Sequence, residues 1–360
     1  MTSFEDLPIR DDLRGQKPYG APQAHVRVEL NVNENTHPVP QAVVDDILAR
    51  TKTALATINR YPDREFTALR EALAKYLGHG MRAENIWAAN GSNEIIQQLM
   101  QAFGGPGRSV LGFPPTYSMH PIIAKGTGTE WLTAERDAYF EISPETAVAT
   151  IREQKPDIAF FCTPNNPTGT VVGHDELRNF LQAVPSNVLV VIDEAYVHFQ
   201  TDTDAARGLE LYREFDNVAV LHTFSKAYGL AGLRLGYAVA REDVRDGLEK
   251  VALPFGVTDI AQAAGVKSLE VEAELQDRID VLVAERDALE TYLATTEWNA
   301  PLSQANFVWL PAGATTDALQ EHLMSRGIIG RAFSGDGIRI SIGSPEANAS
   351  LVAALQAWQG

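Results

Sequence analysis

The chain has 360 residues, 45% hydrophobic and 21% charged, the proportions of a soluble globular protein that is too long for one hydrophobic core. A formal net charge of −17 argues against a broad nucleic-acid-binding surface and against attraction to anionic membranes. No apolar stretch approaches the ~20 residues of a membrane span, and the acidic start Met1-Thr2-Ser3-Phe4-Glu5-Asp6 lacks a basic-then-apolar signal pattern, so a cytoplasmic location is expected.

Residues 1–40 are rich in proline, asparagine and glycine, show little periodicity, and read as an N-terminal arm with loops. Over 41–57, Val43, Val44, Ile47, Leu48 and Leu55 fall at helical spacing. Over 67–77, Leu69, Leu73 and Leu77 recur every four residues and predict a second helix. Strands and helices then alternate. Apolar runs at 86–89, 109–113, 157–162, 188–192, 218–221 and 237–240 predict strands, with helices between most of them, for example at 94–103 and 175–184. That alternation predicts an α/β fold, with a large domain over 41–267 built on a mostly parallel sheet flanked by helices. From 268 to 296, Leu275, Ile279, Leu282, Leu289 and Leu293 describe one long helix linking two domains, with a seven-residue step across Arg286. Residues 297–360 read as a small α+β unit, with strands at 307–310 and 338–342 and helices at 316–326 and 345–358. The linking helix and this small C-terminal domain together span 268–360. The single cysteine, Cys162, sits in Ile158-Ala159-Phe160-Phe161-Cys162 and reads as a buried core thiol. The eight histidines form no His-x-x-x-His pair, and no metal site is expected.

One lysine keeps unusual company. Lys226 stands in Thr223-Phe224-Ser225-Lys226-Ala227-Tyr228-Gly229-Leu230-Ala231-Gly232-Leu233-Arg234, after the strand at 218–221. A lysine held near apolar groups and an arginine has a depressed pKa, which favours imine chemistry. Thr223, Ser225 and Arg234 supply hydroxyls and a guanidinium in a grouping that suits a phosphate dianion. Asp193 ends the strand at 188–192, at the carboxyl edge where ligands sit in open α/β sheets. Its carboxylate can face a cation there; standing alone it would be a capping or salt-bridged aspartate. Gly91-Ser92-Asn93-Glu94 follows the strand at 86–89 and opens a helix. A glycine and then a capping hydroxyl leave free amides for an anion, or make an ordinary N-cap. Taken singly, Asn166-Pro167-Thr168-Gly169 is a turn and Tyr117 a core tyrosine. Arg331 and Arg339 each lie in or beside an apolar run, so each needs an anionic partner, either a structural carboxylate or a ligand.

Together these are the parts that seat pyridoxal 5′-phosphate (PLP): an amine for the aldehyde, a carboxylate for the pyridinium proton, an amide and a phenol for the ring oxygen, and a phosphate turn. The set resembles the fold-type I aminotransferases, and among them the histidinol-phosphate aminotransferase branch, from about Leu13 to the C-terminus. The resemblance implies that Lys226 carries the cofactor and that Asp193 holds its ring nitrogen. It places Asn166 and Tyr196, of Asp193-Glu194-Ala195-Tyr196, on the ring oxygen, and Tyr117 on the ring face. Gly91, Ser92, Asn93, Thr223, Ser225 and Arg234 would meet the phosphate, and Tyr61 would reach the neighbour's phosphate across a homodimer. On the substrate side it implies Arg339 as the anion-binding arginine, Arg331 as its helper, Asn33 in the lining loop, and Tyr19 reaching a partner's site. The chain departs from the branch after Asn33-Glu34-Asn35, where Thr36-His37-Pro38 replaces Pro-Tyr-Gly. The implied reaction moves the amino group of glutamate to imidazole-acetol phosphate, giving L-histidinol phosphate and 2-oxoglutarate for histidine biosynthesis. Three rivals stay open: an aromatic amino-acid aminotransferase, a phosphate-amine decarboxylase of the same fold, and a silent PLP-binding module. The last is disfavoured by the absence of an appended DNA-binding helix pair and by the charge of −17.

Overall fold

The computed structural model describes residues 8–14, 20 and 25–359. Its main sheet has seven strands in the order Ile86–Ala89, Gly236–Ala240, Val218–Thr223, Leu189–Asp193, Ile158–Cys162, Ser109–Gly112, Glu130–Thr133. Only Gly236–Ala240 runs against its neighbours; the other pairings are parallel. Five of the strands are buried at every position, which is why they appear in sequence as unbroken apolar runs rather than as alternation. The seventh, Glu130–Thr133, is an edge strand exposed or half-buried along its length, so it carries no such run and sequence reading misses it. Cys162 is buried as expected, with Sγ 3.6 Å from the Pro164 carbonyl, and burial pushes its thiol pKa up.

The expected single helix from 268 to 296 is two helices. Asp259–Glu270 ends at Val271, whose φ of −108° and ψ of 32° break the spiral, and Glu272–Leu293 follows. Ser268 therefore belongs to the first helix, where its hydroxyl donates to the Ala264 carbonyl at 2.8 Å. The stripe Leu275, Ile279, Leu282, Leu289 and Leu293 is buried throughout, so periodicity alone runs on past the break. Arg286 fills the seven-residue gap in that stripe and is itself 1% exposed. Its guanidinium donates to the Phe199 carbonyl at 2.8 Å, to Thr201 Oγ1 at 3.2 Å and to Asp287 Oδ1 at 2.9 Å. The cation thus ties the long helix to the 3-10 turn Val197–Phe199, which directly follows the Asp193–Tyr196 segment.

Towards the C-terminus, Arg331–Phe333, Gly337–Ser341 and Phe307–Leu310 form an antiparallel three-stranded sheet, packed with helices Thr316–Ser325 and Pro345–Gln356. Inside the segment read as a loop-rich arm, Val28–Glu29 pairs in parallel with Ile328–Ile329. The Ser341 amide also donates to the Leu30 carbonyl at 2.9 Å. These bonds fix the chain leading into Asn31–Asn35 against the small sheet, which aims that segment at the lysine turn of the main sheet.

Replacing Arg286 with Met would keep the volume and remove the donors to the buried Phe199 carbonyl. An unmade bond to such a group costs about 1–3 kcal/mol. Urea unfolding of the Arg286→Met variant should show a loss of that size; unchanged stability would mean that the guanidinium only fills space.

Candidate active site

At the carboxyl ends of the central parallel strands lies a cavity of about 340 Å³. Ten of the side chains singled out from sequence line it: Ser92, Asn93, Tyr117, Asn166, Asp193, Tyr196, Thr223, Ser225, Lys226 and Arg234. Asn33 and Arg339 join them from the N-terminal segment and the small sheet. Val32, Glu34, Cys162, Ala195, Ala231 and Gly232 complete the wall and were not foreseen as lining groups.

The lysine turn is built by short-range bonds. The Ser225 amide donates to Thr223 Oγ1 at 3.1 Å, and the Leu230 amide donates back to the Phe224 carbonyl at 3.0 Å. Lys226 Nζ donates to the Asn33 carbonyl at 2.9 Å, and Asn35 Nδ2 donates to the Lys226 and Ala227 carbonyls at 3.1 Å each. Burial depresses the Lys226 amine from its ordinary 10.5 to about 7, helped by the charges of Arg339 and Arg234 and opposed by Glu34. At neutral pH a large fraction of this amine is therefore an uncharged nucleophile.

Asp193 closes its strand and is 2% exposed. Its Oδ1 accepts from the Ala195 amide at 3.3 Å, and its Oδ2 lies 3.0 Å from His120 Nε2. Since a carboxylate only accepts, Nε2 carries the hydrogen. His120 is 0% exposed, tilts onto the Phe160 ring at 4.6 Å, and leaves Nδ1 without a hydrogen bond among the described residues. Sequence reasoning passed over His120 because no local pattern marks it; its partner is 73 residues away. Tyr196, 3% exposed, accepts from Asn33 Nδ2 and from Asn166 Nδ2, both at 3.1 Å. With both lone pairs of the phenol engaged, its own hydrogen is left to donate elsewhere. Burial raises the Tyr196 pKa, so the phenol keeps that hydrogen at neutral pH.

The phosphate-ready end departs from expectation in one respect. Ser92 is the first residue of helix Ser92–Phe103, and the N-cap is Gly91, which offers no side-chain bond to the helix amides. Glu94 instead accepts from the Asn90 amide at 2.6 Å, outside the first turn. The helix N-terminus, with its partial positive charge, is thereby left uncapped. Gly91 holds φ +86°, and a Cβ there would stand 2.5 Å from Arg234 Nη2. Glycine is thus required both by conformation and by the approach of the guanidinium. Arg234 Nη1 donates to the Ala231 carbonyl at 3.1 Å and to Ser225 Oγ at 3.5 Å. Tyr117 donates to Asn93 Oδ1 at 3.1 Å.

On the opposite wall, Arg339 is 8% exposed and donates to Asn166 Oδ1 and to the Asn31 carbonyl, each at 2.8 Å. Arg331 pairs with Arg339 in the antiparallel ladder, which puts the two side chains on the same face of the small sheet. It is not among the cavity-lining residues; its Nη1 donates to the Gly20 carbonyl at 3.0 Å, and its guanidinium lies 5.8 Å from the Phe333 ring centre. Asn33 is locked at φ +54° by two bonds with Ser341 Oγ, each 2.9 Å. Tyr61 stands outside this chain's cavity, 79% exposed and stacked on Phe255 at 4.4 Å. Tyr19 lies outside the described residues.

An uncapped helix N-terminus, two hydroxyls and a guanidinium at one end, a buried carboxylate beside a histidine, a phenol with a hydrogen to donate, and an amine near neutrality together fit PLP, each polar group facing a complementary one. The chain also matches the model of the aminotransferase class I and II family over residues 26–355, and it belongs to that family. Its similarities within the family point to one branch. A histidinol-phosphate aminotransferase of Thermobifida fusca is 46% identical over 345 residues, 96% of this chain and 93% of that protein. One from Mycolicibacterium smegmatis is 44% identical over 357 residues, 98% of this chain and 93% of that protein. The crystal structure of a histidinol-phosphate aminotransferase from Sinorhizobium meliloti in complex with PLP superposes with a TM-score of 0.83 at 26% identity, covering 92% of this chain and 90% of that one.

Only an unprotonated amine attacks an aldehyde, and the Lys226 amine loses its proton as pH rises through about 7 rather than near 10.5. The rate at which PLP-free protein takes up PLP should therefore rise with pH up to about 7–8 and then level off. Stopped-flow absorbance measures it. A rate still climbing towards pH 10 would show that Lys226 titrates as an ordinary lysine.

Proposed function

We propose that this protein catalyses the PLP-dependent exchange of an amino group between L-histidinol phosphate and 2-oxoglutarate, running in histidine biosynthesis from glutamate to imidazole-acetol phosphate. The observation that carries the substrate assignment is the register pairing of Arg331 with Arg339 beside the cavity. A phosphate dianion calls for two guanidinium groups, whereas an amino-acid carboxylate is satisfied by one bidentate pair. The high identity to histidinol-phosphate aminotransferases over nearly the whole chain supports the same reading.

Bound PLP supplies an electron sink for negative charge at the substrate carbon. The chain's own groups do the rest. The Asp193 carboxylate, oriented by His120, would hold a positive charge at the pyridine nitrogen. Asn166 and Tyr196, bonded to each other, would address the ring oxygen, with the Tyr196 hydrogen as donor. Lys226 Nζ, uncharged near neutral pH, takes and returns the proton at the substrate carbon. Gly91, Ser92, Asn93, Thr223, Ser225 and Arg234 would hold the phosphate, and Tyr117 would pack against the ring.

A homodimer is part of the proposal. Leu55, Ile58, Tyr61, Leu253 and Phe255 are exposed apolar residues on two segments joined by the Tyr61–Phe255 stack, and such a patch calls for a cover. In a dimer, Tyr61 would reach the partner's phosphate site and Tyr19 the partner's substrate site. No helix among the described residues is long and apolar enough to cross a membrane, which accords with the cytoplasmic location we infer.

Losing one charge-assisted anchor at a desolvated site costs about 2–5 kcal/mol. Arg339→Gln should damage both half-reactions, because both substrates present an anion to it. Arg331→Gln should damage the histidinol-phosphate half-reaction strongly and the glutamate half-reaction mildly. Single-turnover absorbance separates the two. Equal damage by Arg331→Gln would remove the case for a phosphate-bearing substrate, and faster turnover of phenylalanine than of histidinol phosphate would favour an aromatic amino-acid aminotransferase.

A further inference from the structure

One residue along from Asp193 and Thr223 in the cavity wall, and from Gly236 packed against Ser92, lies a second polar set that the cavity does not touch. Glu194 follows Asp193, His222 precedes Thr223, and Tyr237 follows Gly236. Adjacent residues of a strand point to opposite faces, so these side chains turn away from the site. They meet one another instead. His222 Nε2 lies 2.8 Å from Glu194 Oε2, and His222 Nδ1 lies 2.9 Å from the Tyr237 hydroxyl. The other Glu194 oxygen accepts from the Gly208 amide. Glu194, His222 and Tyr237 are 1%, 3% and 0% exposed. One arrangement of hydrogens satisfies the whole set: Tyr237 donates to Nδ1, and Nε2–H donates to the carboxylate.

A glutamate and a histidine inside a sheet core are costly to bury, and an apolar trio would pair the same strands without that cost. Their place in the ladder indicates what the polar set adds. The registered pairing between the strands ends here: Asp193 opposite Leu221 is the last pair of one ladder, with the Glu194 amide still donating to the Leu221 carbonyl at 3.0 Å, and Thr223 opposite Gly236 is the last of the next, with the Phe224 amide still donating to the Leu235 carbonyl at 3.0 Å. Beyond these bonds the chain turns into the Ala195–Tyr196 and Ser225–Lys226 walls of the site, past the end of both ladders. Gly236 carries a further wall, since a Cβ on it would stand 2.5 Å from the Ser92 amide nitrogen.

We propose that Glu194, His222 and Tyr237 are positioning residues, a buried hydrogen-bonded relay that sets the spacing of Asp193, the Thr223–Lys226 turn and the Gly91–Ser92 turn, and thereby the affinity for the cofactor and the proton affinity of the cofactor once bound. The inference rests on the PLP reading of the cavity.

The test uses PLP-free wild type and the variants His222→Leu, His222→Gln and Tyr237→Phe. Tryptophan quenching reads the PLP dissociation constant, the pH midpoint of the bound cofactor's absorbance reads the proton affinity of its link to Lys226, which responds to the charge held at the ring, and far-ultraviolet circular dichroism reads the fold. His222→Leu leaves the buried Glu194 carboxylate short of a donor, and should weaken PLP about tenfold or more. It should also move the absorbance midpoint. Tyr237→Phe, which loses only a hydroxyl, should act in the same direction by a few-fold. In His222→Gln an amide N–H takes the Nε2 place against Glu194, and this variant should recover much of the loss. Variants that melt earlier but keep both the wild-type PLP affinity and the wild-type midpoint would overturn the proposal, leaving the relay a plain core element. Should His222→Leu fail to fold, Tyr237→Phe decides by the same two readouts. A wild-type chain that takes up no PLP would overturn the cofactor reading itself, an outcome distinct from equal binding by all four proteins.

Discussion

The hydrogen bond from Lys226 Nζ to the Asn33 carbonyl, 2.9 Å long, is where the parts of the molecule meet. Lys226 is presented by the turn after a central strand of the main sheet. Asn33 belongs to a segment held beside the small sheet by the two-stranded pairing of Val28 with Ile328, and on it by Ser341. The bond can form only if both sheets and the N-terminal segment are in place. The same convergence brings Arg339 close enough to help depress the lysine pKa, and seats the Asn33 amide on Tyr196. Burial, two cations and a carbonyl acceptor together yield an amine that is positioned yet available as a nucleophile. Without the small sheet, Lys226 would be one more charged lysine at the end of a strand.

Two histidines do comparable work on opposite sides of the strand carrying Asp193 and Glu194. His120 orients the carboxylate that faces the site, and His222 holds the carboxylate that faces away. Neither lines the cavity. Both keep a buried acidic group in one orientation, which matters because a carboxylate that can rotate is a poor template for a single cation.

Much of this was legible in the sequence, for identifiable reasons. The central strands could be read because burial on both faces writes an unbroken apolar run. The lysine turn, the Asp193–Tyr196 segment and the glycine at 91 could be read because each is contiguous and its chemistry is local. What escaped was set by distance or by exposure. The edge strand Glu130–Thr133 has no apolar run to announce it. The break at Val271 leaves the leucine period intact on either side. Arg286 looked like an interruption of a core stripe, and in the fold it is a core residue whose guanidinium is spoken for. His120, on the helix Met119–Thr127, meets Asp193, and His222 meets Glu194 and Tyr237, only after elements distant in the chain lie side by side. Ser92 read as a helix cap because hydroxyls usually cap, whereas here Gly91 holds the position and the amides stay open.

The most direct measurement is chemical. Borohydride reduction of the PLP-loaded protein, followed by proteolysis and mass spectrometry, fixes the cofactor to the amine that holds it. If burial, Arg339 and the Asn33 carbonyl select the amine as the structure implies, the pyridoxyl group will be found on the peptide carrying Lys226. A pyridoxyl group on any other lysine would contradict the placement of the cofactor and, with it, the roles drawn for the residues around the cavity.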